Sequence, residues 1–194
     1  MPINLTKGQK VDLTKSRPQL NRVQVGLGWD AATGGQSKGG FWGQIFGFDC
    51  DASVIMLKEG KKDKELIYFG GKKSRCKSVI HMGDNLTGSG DGDDEVINID
   101  LKKLPADCQR LIFVVNIFGA KSRKQHFGMI RNAYIRVVNP TNNEELIHYD
   151  LTENYQGQVS LIAGELYRNG NDWNFAAIGE GTQDHDIHKL YNKY

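Results

Sequence analysis

Short runs in which β-branched or apolar residues alternate with polar ones follow one another along nearly the whole chain. They are Lys10–Leu13, Arg22–Trp29, Asp51–Leu57, Leu66–Phe69, Val79–Met82, Val96–Leu101, Leu111–Phe118, Ala133–Asn139, Glu144–Leu151, Gln158–Tyr167 and Trp173–Ile178. A period of two marks a strand with one buried face, and runs this short at this spacing suit a sandwich better than alternating strand–helix units. No long segment repeats its apolar residues at helical spacing, while 23 glycines and only 4 prolines fit tight turns. The pattern predicts an all-β fold: a β-sandwich of two mainly antiparallel sheets with one or two short helices, as a single domain over residues 1–194. Helix is expected only where Pro105-Ala106-Asp107 can open one turn and over the last residues, Asp184–Tyr194. Ala31–Phe48, with six glycines, and Lys58–Lys77, with two basic clusters, read as loops.

At 194 residues the chain is long enough to bury a substantial core. No apolar run approaches the ~18 residues of a membrane-spanning helix, and the first residues lack the charged head and apolar stretch of a signal peptide, so a soluble, cytoplasmic protein is expected. Three widely spaced cysteines, Cys50, Cys76 and Cys108, suggest neither a disulfide framework nor a zinc site. A net charge of +2 and a pI near 8.3 fall below the strongly basic range of nucleic-acid binders, so no nucleic acid is expected as a partner.

The charge is unevenly placed. Residues Asp84–Glu95 hold five carboxylates and no Lys or Arg, leaving 25 basic against 18 acidic residues elsewhere. Carboxylates crowded in this way repel one another unless they are solvated, protonated or neutralised by a cation. The donors in this loop are hard oxygens, and its glycines (Gly83, Gly88, Gly90 and Gly92) let the backbone fold tightly enough for carbonyls and carboxylates to converge. Calcium, with six to eight oxygen ligands at flexible geometry, fits such a set better than magnesium. The loop is not an EF-hand, because Leu86 and Gly88 stand where that motif places ligands and Ser89 where it requires glycine. A second feature is Asp49-Cys50-Asp51 at the start of a strand: the two carboxylates share one face, where a cation would relieve their repulsion, and Cys50 points to the other.

Together these residues resemble a known family. The run His81–Glu95 closely resembles the calcium motif of the TerD family, the tellurium-resistance and general stress proteins of bacteria. Further matches follow in one order: Leu5-Thr6-Lys7-Gly8, Val25–Asp30, Phe48–Ser53, Arg131–Val137, Tyr149-Asp150-Leu151-Thr152 and Gly164–Arg168. The resemblance implies a β-sandwich that holds more than one calcium ion, no enzymatic activity, and a part in tolerating tellurite and other stresses. The implied metal ligands are Asp84, Asn85, Asp91, Asp93, Asp94 and Glu95 from the loop and Asp49 and Asp51 from the strand pair, with Asp30 at the edge of the set. The partners implied are calcium, other Ter-family proteins and the inner membrane surface. Cys50 stands where the family usually has Leu, and the glycine-rich stretch before Phe48, the basic stretch Lys72–Lys77 and the ending Thr182–Tyr194 depart from the usual pattern.

Other patterns carry less. Gly35-Gln36-Ser37-Lys38-Gly39 has the spacing of a nucleophile elbow but sits in a glycine-rich loop rather than a strand-to-helix turn. The five histidines, at 81, 126, 148, 185 and 188, show no metal-binding spacing. Lys121-Ser122-Arg123-Lys124 reads as a solvated basic loop; beside a calcium site it would make an anionic-ligand surface, which gives the alternative reading of a calcium-dependent binding module for anionic lipid or a phosphorylated ligand.

Overall fold

The computed structural model describes residues 1–31, 49–59, 63–83 and 92–194. Twelve strands are present: β1 (Ile3–Leu5), β2 (Lys10–Asp12), β3 (Arg22–Ala31), β4 (Cys50–Lys58), β5 (Lys64–Ile67), β6 (Val79–His81), β7 (Glu95–Asp100), β8 (Cys108–Ile117), β9 (Ile130–Asn139), β10 (Glu144–Asp150), β11 (Ser160–Asn169) and β12 (Asp172–Thr182). They form two six-stranded sheets, in the orders β1-β10-β9-β3-β7-β6 and β2-β12-β11-β8-β4-β5. Every named pairing is antiparallel except β1 beside β10.

The sheets face each other across one core. From the first come Val23, Val25 and Leu27 of β3, Ile97 and Ile99 of β7, and Ile135 and Val137 of β9; from the second come Ala52, Val54, Met56, Leu111, Phe113 and Val115. Strand β7 shows the underlying rule, alternating buried and half-buried residues along its length. The second sheet is covered on its other side as well, where Ile187 and Leu190 of the C-terminal helix Ile187–Tyr191 pack over Ile55, Ile112, Val114 and Ile162. The carboxylate of Asp186 caps that helix by accepting the His188 N–H at 2.9 Å. No helix among the described residues is long and apolar enough to cross a membrane.

Each predicted run overlaps a strand, Leu66–Phe69 only at the last two residues of β5, and the expected C-terminal helix is present. Strand β1 is an addition: three residues pair parallel with β10 through Ile3↔Ile147 and its neighbours, too short a run to announce itself by periodicity. Pro105-Ala106-Asp107 makes a turn closed by the Cys108 N–H on the Pro105 carbonyl at 2.9 Å, rather than helix, because β8 begins at once. The expected loop Lys58–Lys77 contains β5 and two isolated bridges, Tyr68↔Gly71 and Lys73↔Ile80. Most of the glycine-rich stretch Ala31–Phe48 lies outside the described residues.

Register places the two sheets' ends together. At one end of the first sheet β3, β6 and β10 finish while β7 and β9 begin; at the corresponding end of the second, β4 and β11 begin while β8 and β12 finish. Backbone bonds cross between them there, as from the Phe127 N–H to the Gln158 carbonyl at 2.8 Å. Every segment carrying an expected metal ligand leaves from this end.

Candidate metal centre

Strand β7 enters the first sheet through Asp94. Its N–H donates to the Leu27 carbonyl at 2.8 Å, and its Oδ2 accepts the Trp29 N–H at 2.8 Å, so the residue extends the β3–β7 ladder past its last paired rung. Burial is the largest influence on the Asp94 carboxyl and lifts it above the ordinary range; Asp30 and Asp93 add to this, and the Trp29 N–H works against it. A bend at Asp94 breaks the alternation of the strand. Asp93 and Glu95, two residues apart, therefore go to opposite faces.

Glu95 goes inward. Its side chain has no exposed surface, and its Oε2 lies 3.1 Å from Nε2 of His81. That nitrogen is also 3.1 Å from the Ala52 carbonyl on β4, in the other sheet. The Gly83 N–H points at His81 Nδ1 from 3.2 Å, so Nδ1 is the acceptor and the ring proton sits on Nε2. His81 is then a neutral imidazole. Its Nε2 proton goes to the Ala52 carbonyl, which ties the two sheets together beneath the acidic loop, with the Glu95 carboxylate alongside.

Asp49 and Asp51 flank Cys50 where β4 begins. Alternation holds as expected: Cys50 is fully buried in the shared core, and Asp51, opposite Asn116 in the register, is on the other face and 6% exposed. The Asp49 carbonyl accepts the Phe118 N–H at 2.7 Å, while its carboxylate is 4.0 Å from the Arg123 guanidinium. The Cys50 thiol is pushed well above its usual value, first by burial and then by the negative charges of Asp51, Asp49, Asp94 and Glu95. Those four charges come from strand starts of both sheets at the same end of the sandwich. They also keep Cys50 a protonated, unreactive thiol.

Asp93 departs from the expected set. On the outer face of the first sheet its carboxylate is gripped by Arg136, with Nε on Oδ1 at 2.7 Å and Nη2 on Oδ2 at 3.0 Å, and the Tyr134 hydroxyl donates to Oδ1 at 3.1 Å. Burial, then the Asp93 charge, raises the Tyr134 hydroxyl far enough to keep it a donor. Glycine is required underneath: a Cβ at Gly26 would sit 2.1 Å from Asp93 Oδ2, and one at Gly28 would meet the Tyr134 ring at 2.4 Å. With both oxygens in an arginine fork, Asp93 is suited to anchoring the incoming loop rather than to holding an ion.

Asp84, Asn85 and Asp91 lie outside the described residues. Among the described residues, no three His, Cys, Asp or Glu side chains are grouped closely enough to hold a metal ion by themselves. The described part brings four expected ligands, Asp49, Asp51, Asp94 and Glu95, to the end from which the remaining three depart. This donor set is entirely oxygen, which fits calcium in kind. Alongside it opens a polar cleft of about 650 Å³ lined by Asp30, Asp94, Arg131, Asn132, Asp150 and Glu153 among others. Asn132, at positive φ, donates to Asp30 Oδ2 at 2.8 Å. Sequence reasoning did not single out His81, Asp150 or Glu153 for this region; the sign for His81 was its inward position on a strand that pairs with β7.

Comparison with known proteins bears on the whole chain. A family model described as TerD domain matches residues 1–194. The chain is 52% identical to "Stress response protein SCP2" of Bacillus subtilis (strain 168), over 100% of each chain. It is 45% identical to "General stress protein 16U" of the same organism over 94% of this chain and 92% of the relative. With "Tellurium resistance protein TerD" of Serratia marcescens it shares 42% identity over 93% of this chain and 91% of the relative. Among solved structures, a Streptomyces coelicolor A3(2) protein described as a homologue of telluride resistance protein (TerD) superposes with a TM-score of 0.65 at 19% identity, over 87% of this chain and 94% of that one, a likeness of fold. The chain belongs to the TerD family.

Proposed function

We propose that this chain is a cytoplasmic calcium-binding stress-response protein, acting in tolerance of tellurite and related toxic oxyanions without catalysing a reaction itself. The relatives' names support the stress and tellurium part. The observation that carries the calcium part is that Asp49, Asp51, Asp94 and Glu95, from strand starts of both sheets, come to the one end where β6 finishes and β7 begins. Buried carboxylates are costly without nearby positive charge. The residues that would hold the ion are Asp49, Asp51, Asp94 and Glu95, together with Asp84, Asn85 and Asp91 from the loop, while Asp93 fixes the loop's exit through Arg136. When bound, calcium supplies positive charge where strands of the two sheets begin. The protein's own groups position the oxygens, keep His81 in one tautomer and exclude a reactive thiol. Other Ter-family proteins are the natural partners of a surface organised in this way.

The test is calorimetric titration of chelator-stripped protein with calcium and with magnesium. Saturable calcium binding, with magnesium much weaker, is the expected result, and substitution of Asp51 by Asn lowers the calcium affinity at least tenfold. A flat calcium titration of folded protein overturns the reading.

A further inference from the structure

Three clefts meet at the end of the sandwich opposite the candidate metal centre, where β3 and β6 begin and β7 and β9 finish. Their volumes are about 340, 430 and 380 Å³. Arg22, Asp100 and Lys103 line both of the first two, and Asn21 and Lys102 line both of the last two, so the three form one continuous groove. It runs from the outer face of the first sheet, at Gln24 and Asn98, to the β11–β12 hairpin at Asn171 and Trp173.

Its walls carry six cations, Lys15, Arg22, Lys77, Lys102, Lys103 and Arg168, against two carboxylates. Asp100 is shared between Arg22 at 3.4 Å and Lys103 at 3.6 Å, and Asp172 accepts the Thr14 hydroxyl at 3.1 Å. Asp12, outside the walls, lies beside Lys15 and offsets it. Lys77 and Lys102 are exposed and pair with no carboxylate among the described residues. Arg168 is fixed by carbonyls instead: Nε donates to Cys108 at 3.0 Å and Nη2 to Pro105 at 3.3 Å, with the guanidinium 4.5 Å above the Trp173 ring. Lys77 stands at φ 56°, a left-handed conformation that favours glycine, and its N–H closes a turn on the Ser74 carbonyl at 2.8 Å. A strained lysine and an anchored arginine are cations set in place before any ligand arrives, as a binding groove requires.

The length and sign of the groove suit an extended polyanion, and its lining selects the kind. Among the described residues, none of the exposed large apolar side chains, Met1, Ile3, Phe69, Met82, Phe118 and Met129, lines it, so nothing there enters a lipid headgroup layer. The aromatic side chain in its walls, Trp173, is 3% exposed and covered by Arg168, which leaves no platform for stacking a nucleic-acid base. Five amide side chains, Gln19, Asn21, Gln24, Asn98 and Asn171, stand among the cations and offer donors and acceptors together. A peptide backbone uses both. A polyphosphate has acceptors only and is repelled by Asp100 and Asp172.

We propose that this groove docks an extended acidic segment of a partner protein, with its carboxylates on Lys77, Lys102 and Arg168 and its backbone on the amide side chains. The site is separate from the metal centre and needs no calcium.

Fluorescence anisotropy of a labelled peptide of alternating Glu and Gly, titrated with the full chain in chelator, tests this. The expected result is a saturable rise that weakens with added salt, is absent for the Gln–Gly counterpart, and loses on the order of tenfold in affinity in Lys77→Glu/Lys102→Glu. Lys121→Glu/Lys124→Glu reverses two cations at the opposite end and should leave the affinity unchanged. Unchanged melting temperatures show that both variants fold; if the first is destabilised, Lys77→Gln/Lys102→Gln reads the same loss with a smaller perturbation. No saturable rise with the Glu peptide overturns the proposal, as does an affinity that ignores Lys77→Glu/Lys102→Glu. Equal losses in the two reversed variants also overturn it, being the mark of unspecific charge attraction. Tighter binding of polyphosphate or oligothymidylate, lost in Lys77→Glu/Lys102→Glu, overturns it by giving the groove to another polyanion.

Discussion

Replacing Glu95 with Gln removes one negative charge and preserves the shape of the side chain. Glu95 is wholly buried, 3.1 Å from His81 Nε2, and Gln fills the same space beside that ring. In chelated protein the change should therefore stabilise. The desolvation penalty of a buried carboxylate is several kcal/mol, and the polar contacts that remain offset most of it, leaving a relief of about 1–2 kcal/mol. For a chain of this size each kcal/mol moves the melting temperature by about 2–4 °C, so the chelated variant is expected to melt ~2–8 °C above the chelated parent. Calcium at a hundredfold excess over Kd adds ~2.7 kcal/mol to the parent, or about 5–10 °C. The variant gains little from it, having lost a carboxylate from the ion's cage.

The two proteins should accordingly change order: variant above parent in chelator, parent above variant in calcium. Differential scanning calorimetry of both proteins in both buffers reads this directly. A variant that melts below the parent by the same margin in both buffers would refute the reasoning, since Glu95 would then stabilise through its protein contacts alone.

Gly26→Ala should cost about 2–4 kcal/mol in denaturant melts, because the new Cβ, 2.1 Å from the Asp93 carboxylate, forces that group out of the Arg136 fork; a loss under 0.5 kcal/mol would show that the fork is dispensable. Alkylation of native protein near neutral pH should modify Cys76 first: although partial burial raises its thiol, hydrogen bonds with Ser74 and Ser78 bring it below the ordinary value overall. Burial holds Cys50 well up and takes Cys108 to about 12, so both should react only on unfolding, and mass spectrometry showing Cys50 labelled with the fold intact would contradict its placement. The Asp184 carboxyl is held below its usual 3.8, first by Lys193 at 2.5 Å and then by the Thr182 hydroxyl. Its contribution to docking the C-terminal helix is complete above that value and is lost as pH falls through the depressed one, so Asp184→Asn should abolish an acid-induced exposure of Tyr191 and Tyr194 that the parent shows below about pH 4.

Much of this fold was legible because a sandwich writes itself in a period of two. The same rule correctly put Cys50 in the core and Asp51 on the opposite face. It does not reach Asp93, which the motif grouped with Asp94 and Glu95 and which the fold seats in the Arg136 fork. A bend at Asp94 interrupts the alternation, and the arginine that claims Asp93 lies 43 residues further on, a partnership created only by the β3–β9 pairing. His81 was hidden for the same reason: its role depends on the Ala52 carbonyl, 29 residues away in the other sheet. Strand β1 went unseen because three residues carry too little pattern, and its parallel partner is near the far end of the chain.

The position of the carboxylates explains how an ion at one end of a sandwich can act on the whole molecule. Sheet-to-sheet contact in the core is apolar and has no preferred charge state, so it cannot report metal binding. The bond between His81 Nε2 and the Ala52 carbonyl is polar and directional; it joins β6 of one sheet to β4 of the other, with the Glu95 carboxylate of β7 3.1 Å from the same nitrogen. Asp51 stands on that same β4 and Asp49 immediately precedes it, one on each side of Cys50. Repulsion between the carboxylates of β4 and those entering β7 acts to separate the sheets at this end, and positive charge among them draws the sheets together. The Phe118–Met129 loop is fastened to Asp49 through the Phe118 N–H, so it moves with β4.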